Sequence, residues 1–433
     1  MTRLSPVAAT PSNHLRRTLI AALVCLIPAL ATAATEGLWP VTATMPQGVM
    51  VHPADGRTGL LFGTSVGIDG DIAAVGAAFD TNGANASQGA IFVYERNGSA
   101  WPQKVRLLTT PGAAGDQTGA YVEVYGQEIF AGSPNAKDPA SMITTGAVFV
   151  FKRGSDGNWT QTQMLVPNPP IQSGFGQRIA VDGNTLLIKG LDAALHQVVY
   201  VFTRQGATWT QTGSLVPTQG GSFSTHISLS GDVAVVGANA ATNASSAVTG
   251  GAYVFLRSGS TWTQIARLLA ADGASGDSYG FSVSVSGDDI AVGASGDDVG
   301  GNNNQGSVHL YHRSGTTVSE VAGSPIYAPD GVSGDSFGKD LRLCGSRLYV
   351  GASSHPNGVN SQQGQAYRWD KINGTWTYSD AFTMDAPGRS NAYFADHFGV
   401  SGNNLIVGVP FADEAYIYAD TCKGDSLYRN GFD

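Results

Sequence analysis

Apolar and polar positions alternate across residues 281–286, stop alternating at 287, and resume after 306. Phe281, Val283 and Val285 are interleaved with Ser282, Ser284 and Ser286, the period-two pattern of a strand with two unlike faces. Gly287-Asp288 interrupts it with tight-turn chemistry. Ile290-Ala291-Val292 is apolar throughout, as in a strand buried on both faces. After Gly293-Ala294 comes a polar loop, and residues 307–311 alternate again. Three short antiparallel strands of this kind cannot bury both faces alone, so the unit requires neighbours.

The neighbours are copies of the unit. Aligned on the glycine that ends the second strand, it recurs at Gly76, Gly132, Gly237, Gly293, Gly351 and Gly408, with Lys189 in the third place. Fourteen residues before each marker stand Phe62, Thr118, Phe175, Phe223, Tyr279, Phe337 and Phe394. Six residues before it stand the turn glycines Gly70, Gly126, Gly183, Gly231, Gly287, Gly345 and Gly402. A fourth strand follows the third, opened by Trp101, Trp159, Trp209, Trp262 or Trp376 and by Thr317-Val318 in the fifth unit. Four strands per unit is the make-up of a propeller blade. The seventh unit ends after Tyr418 without a tryptophan strand, while residues 39–51 begin with Trp39-Pro40, like Trp101-Pro102, and have no earlier strands. The pattern therefore predicts an all-β, seven-bladed β-propeller of four-stranded blades, the last blade closed by the N-terminal strand, which joins both termini in one sheet.

Composition narrows the class further. Charged residues make up 13 %, and 57 glycines suit many short strands and turns rather than a disordered chain. The net charge of -9 comes with no basic run, which argues against nucleic acid as a partner. Arg16-Arg17, an apolar run over 19–30 and Ala31-Thr32-Ala33 have the form of a cleaved export signal. The expected division is a signal over 1–33, the propeller over 34–420 and a tail over 421–433. The mature chain is expected to be secreted, periplasmic or at the cell surface, a monomer with no membrane span. Export permits a disulfide, and Cys344 and Cys422 fall on the same end of neighbouring blades, which makes them the candidate pair.

Phe62-Gly63 with Gly76-Ala77, Tyr279-Gly280 with Gly293-Ala294, and Phe337-Gly338 with Gly351-Ala352 resemble FG-GAP repeats, the blades of the integrin α-subunit head and of many exported bacterial proteins. The resemblance implies a seven-bladed propeller whose loops after the second strand contact partners. Calcium-binding copies carry an acidic D-x-D-x-D-G loop between the first two strands. Here that place holds only a turn such as Asp69-Gly70-Asp71 or Ser286-Gly287-Asp288, too few oxygens for calcium. No calcium site is carried over and no cofactor is expected. A Kelch-type propeller is the alternative fold, supported only by Gly250-Gly251.

Candidate chemistry is sparse. Asp297 and Asp298, with Asn302, Asn303 and Asn304, form the most acidic loop, and Asp80 with Asn82 a weaker version, so these are the candidate ligand loops. Asp116, Asp277 and Asp335 precede the aromatic position by two residues and are expected to brace turns. The tryptophans are expected to pack between blades, and His309 to replace an aromatic. No nucleophile elbow, phosphate loop or metal-spaced histidine pair is present. The expected function is an exported binding or adhesion module for a protein or glycan partner. The alternatives are an enzyme acting on extracellular polymers and a purely structural repeat. Convergent carboxylates or a His–carboxylate pair in the channel would favour the enzyme, and a rim of Asn, Ser and Thr with no perturbed acid would count against it.

Overall fold

The structure is a computed structural model that describes residues 47–419 except Ser173, 219–222, 224–225, 243–246 and 385–388. Blade 5 shows the plan: strands Tyr279–Ser286, Asp289–Ala294, Ser307–Ser314 and Thr317–Glu320 pair in sequence order, all antiparallel. Seven four-stranded sheets repeat it, and no α-helix occurs among the described residues. In the seventh sheet the strands His397–Ser401, Asn404–Val409 and Glu414–Ala419 are completed by Val49–Val51, with Met50 opposite Tyr416. The N-terminal strand thus closes the ring as expected. Trp39, like the export signal and the tail over 421–433, lies outside the described residues.

The registered residues hold this ring together. In blades 1, 3, 4 and 6 the aromatic of the FG position meets two aromatics of its own third strand. Phe62 lies edge-on to Phe92 and Tyr94, with centroids 5.5 and 6.3 Å away, and Phe337 packs Tyr367 and Trp369, both at 5.5 Å. In blade 5 the place of Phe92 is taken by His309, 5.1 Å from Tyr279 and buried, so it packs as the aromatic it replaces. Blade 2 has Thr118 instead, and its hydroxyl bonds Ser133 at 2.9 Å.

The marker glycines have a different duty. A Cβ on Gly76 would run into the Gly119 carbonyl of blade 2, and one on Gly408 into the Gly63 carbonyl of blade 1. Two blade backbones touch there, so only a residue without a side chain fits. The tryptophans also reach across blades: Trp209 of blade 3 stacks edge-on against Phe130 of blade 2 at 5.6 Å, and Trp159 donates to Glu95 of blade 1 at 3.2 Å.

Candidate functional site

Counting back from each turn glycine exposes three layers on the innermost strands. Five residues before it stand Ser65, Tyr121, Arg178, His226, Ser282, Asp340 and His397. Three before it stand Gly67, Glu123, Ala180, Ser228, Ser284, Arg342 and Gly399, and one before it Asp69, Tyr125, Asp182, Ser230, Ser286, Cys344 and Ser401. The residues between, such as Val122, Ile179, Val283 and Leu341, are apolar and buried in the blade cores.

Many layer residues tie one blade to the next through a backbone N–H. Ser65 accepts from Val122 at 2.8 Å, Ser228 from Val285 at 3.0 Å and Ser284 from Leu343 at 2.9 Å. At the turns, Asp69 accepts from Gly126, Asp182 from Gly231, Ser230 from Gly287, Ser286 from Gly345 and Ser401 from Gly70. The short polar side chains that alternate along these strands are therefore inter-blade clamps. Each satisfies a donor that the radial geometry leaves outside its own sheet.

Where the layer carries a longer side chain, it reaches across the axis instead. His226 of blade 4 lies 3.4 Å from Asp340 of blade 6, with Arg342 Nη1 3.3 Å from the same ring nitrogen, Nε2. Arg342 also lies 3.4 Å from Asp340 and 3.4 Å from the Tyr121 hydroxyl of blade 2, which donates to Glu123 at 3.3 Å. Asp340 keeps its clamp as well, since its Oδ2 accepts the Phe398 N–H of blade 7 at 2.8 Å. Arg178 of blade 3 sits over the Tyr121 ring at 5.5 Å. Beside this group Asp396 is paired with Lys339 at 2.7 Å and with His397 at 3.4 Å. A cluster contributed by blades 2, 3, 4 and 6, with blade 7 at its edge, crosses the channel.

Burial sets the charges. It raises the Glu123 carboxyl to about 7, against the pull of Arg342. It lowers His226 to about 4, against the pull of Asp340, so the ring is neutral, and its buried Nδ1 has no partner among the described residues. Burial alone would raise Asp340, but Arg342 and His226 hold it well below the usual carboxylate range. Burial would lower Arg342, but Asp340, Tyr121 and Glu123 outweigh it and keep the guanidinium charged.

Beyond this cluster, toward the tight turns, the channel holds a cavity of about 200 Å³. Glu123 and Arg342 face it, while the last residues of the innermost strands form its wall.

In the candidate ligand loops Asp80 is buried, Asn82, Asp297 and Asn302 are half-buried, and Asp298, Asn303 and Asn304 are exposed. Asp80 is fully buried between Arg57 at 2.8 Å and Arg106 at 2.5 Å. Asn82 donates to Gln88 at 3.3 Å, and Asn302 to Gln305 at 2.8 Å and to the Gly331 carbonyl at 3.2 Å. Asp298 accepts the Asn304 N–H at 2.8 Å, and Asn303 gives its carbonyl to Gly334. Burial raises the Asp297 carboxyl. Asp116, Asp277 and Asp335 brace turns, accepting the N–H groups of Ala113, Ala274 and Val332. Among the described residues no group of three His, Cys, Asp or Glu is placed to hold a metal ion. Cys344 is disulfide-bonded, and Cys422 lies outside the described residues.

The family model for the FG-GAP repeat matches residues 47–94 and 262–311. This chain is an FG-GAP repeat propeller. Each match runs from the outer strand of one blade through the third strand of the next, so the repeat is offset from the blade by one strand. In the FG-GAP propeller that offset makes the first match begin on the strand that closes the ring. No curated protein matches the chain. No helix among the described residues is long and apolar enough to cross a membrane.

Proposed function

We propose that this FG-GAP propeller is an exported binding module that docks a protein or glycan partner on the face formed by the loops between second and third strands. One observation supports that face above the other. Large apolar side chains stand exposed in these loops in six of the seven blades: Phe79, Met142 with Ile143, Leu195, Val248, Val359 and Phe411. Val359 is 99 % exposed, Met142 and Leu195 66 %, and Phe411 65 %. On the opposite face the strands are joined by tight turns, and Ile372 is the large apolar side chain exposed among them. Scattered exposed apolar residues are ordinary, but their recurrence at one blade position across a face is the mark of an interaction surface.

The reading of the chain as an enzyme draws on the carboxyl groups of Asp69, Glu123 and Asp182 that converge on the channel cavity and on the His226–Asp340 pair, and the position of that pair weighs against a catalytic part for it. Neither residue lines the channel cavity, the ring is held neutral well below neutral pH, and Asp340 is already committed to Arg342 and to a backbone N–H. A general base must reach the proton it abstracts. The cluster is better read as a polar plug that fixes blades 2, 4 and 6 across the axis.

The test is binding of the mature chain to envelope fractions and to a glycan panel, with and without chelator. Leu195→Asp, Val359→Asp and Phe411→Asp are measured beside the parent. The proposal expects a partner whose binding falls at least tenfold in these variants with melting temperature unchanged. Binding indifferent to all three would overturn it.

A further inference from the structure

The channel cavity lies on the face away from the exposed loops, and its wall is chemically divided. On the side of blades 4 and 5 stand Ser228, Ser230, Ser284 and Ser286. Each hydroxyl oxygen accepts a backbone N–H from the following blade. That uses a lone pair and leaves the O–H to donate, and none of the four donates to any described residue. Ser284 is buried, so its unused donor points to a ligand or water rather than to bulk solvent. On the side of blades 1 to 3 stand the carboxyl groups of Asp69, Glu123 and Asp182, which accept. Arg342 adds donors at the inner end, and Tyr125 adds a half-exposed ring.

These groups select among ligand classes. An inorganic anion would suit the serines and Arg342 but would face three carboxyl groups. A metal cation would suit the carboxyl groups but would face a guanidinium and four hydroxyl hydrogens, with too few oxygens on one side to complete its shell. A molecule whose every polar group both donates and accepts satisfies both walls without a charge mismatch. A volume near 200 Å³ is below that of a drug-sized pocket and holds one small ring rather than an extended chain.

We infer that the turn-side end of the channel is a binding site for a single neutral polyol of monosaccharide size, held between the serines of blades 4 and 5 and the carboxyl groups of blades 1 to 3. The site is independent of the loop-face docking surface. Glu123, raised by burial, is able to donate as well as accept near neutral pH, which widens the set of hydroxyl orientations it can meet.

Ligand-observed NMR and calorimetry on the whole mature chain test it, with glucose, galactose, mannose, N-acetylglucosamine and inositol as probes and glycine, sulfate and calcium as comparisons. Ser286 lies half-buried at the rim, so Ser286→Trp closes the entrance without entering a blade core. The site predicts one equivalent of at least one polyol, loss of binding in Ser286→Trp, and about tenfold weaker binding in Glu123→Gln. Both variants should melt as cooperatively as the parent, and Leu195→Asp on the other face should bind the polyol normally. Saturation by glycine, sulfate or calcium with no polyol bound would overturn the inference. So would polyol binding that survives Ser286→Trp, or no binding at tens of millimolar.

Discussion

Ser282 and His226 occupy the same register position on the innermost strands of adjacent blades, yet they act in different directions. Ser282 donates to the Gly338 carbonyl of the next blade at 2.6 Å, and its reach ends there. His226 spans the channel to Asp340, two blades on. Asp340, also at that position, does both, holding the Phe398 N–H of blade 7 and facing His226 and Arg342. A short side chain at this place serves the ring locally, and a long one has only the axis to extend into. The seven-fold repeat therefore builds the wall, and individuality collects where the repeat points at its own centre.

The axial and the local roles separate most sharply at Asp340. Asp340→Ala leaves Arg342 buried without its main counter-charge and Phe398 N–H without an acceptor, and about 3–5 kcal/mol of stability should be lost in chemical unfolding. Ser282→Ala removes one neutral bond at the same register and should cost about 1 kcal/mol. Equal effects would mean that the axial contacts contribute nothing beyond the local clamp. Gly76→Ala should fall between these, about 2–3 kcal/mol, because its Cβ meets backbone that cannot move aside. Lys189→Gly at the matching place of blade 3 should change little, since that junction is already built around a side chain.

Strand number, blade boundaries and ring closure were legible because aromatics, turn glycines and marker glycines recur at fixed offsets, each with a local cause. The axial cluster was not. Its members are Tyr, Arg, His and Asp in different blades, and nothing in chain order says that residues 121, 226 and 342 meet. The signal was nonetheless present: offsets of five and three from the turn glycine collect the plug residues. For the loop candidates the composition was legible and the partners were not. Asp80 and Asn302 have the composition of a ligand site, but Arg57, Arg106 and Gln305 occupy them, and two of these lie more than twenty residues away in sequence.

The most specific effect is on the pH dependence of stability, where two large contributions oppose each other. Glu123, raised to about 7, binds a proton in the folded chain that the unfolded chain releases near its ordinary value. It therefore stabilises the fold in acid and loses that contribution as pH rises from about 4.5 to 7. His226, lowered to about 4, does the reverse: its contribution is present above about 6.5 and is lost as pH falls toward 4, up to roughly 3 kcal/mol. The two trends oppose each other over the same window and largely cancel in the parent.

Melting temperatures of the parent, Glu123→Gln, His226→Gln and the double variant between pH 4 and 7.5 test the axial cluster most directly. Relative to the parent, Glu123→Gln should lose stability on acidification, His226→Gln should gain it, and the double variant should again run nearly parallel to the parent. Four parallel curves, or slopes of the opposite sign, would contradict a buried cluster in which one blade holds a proton that another has given up.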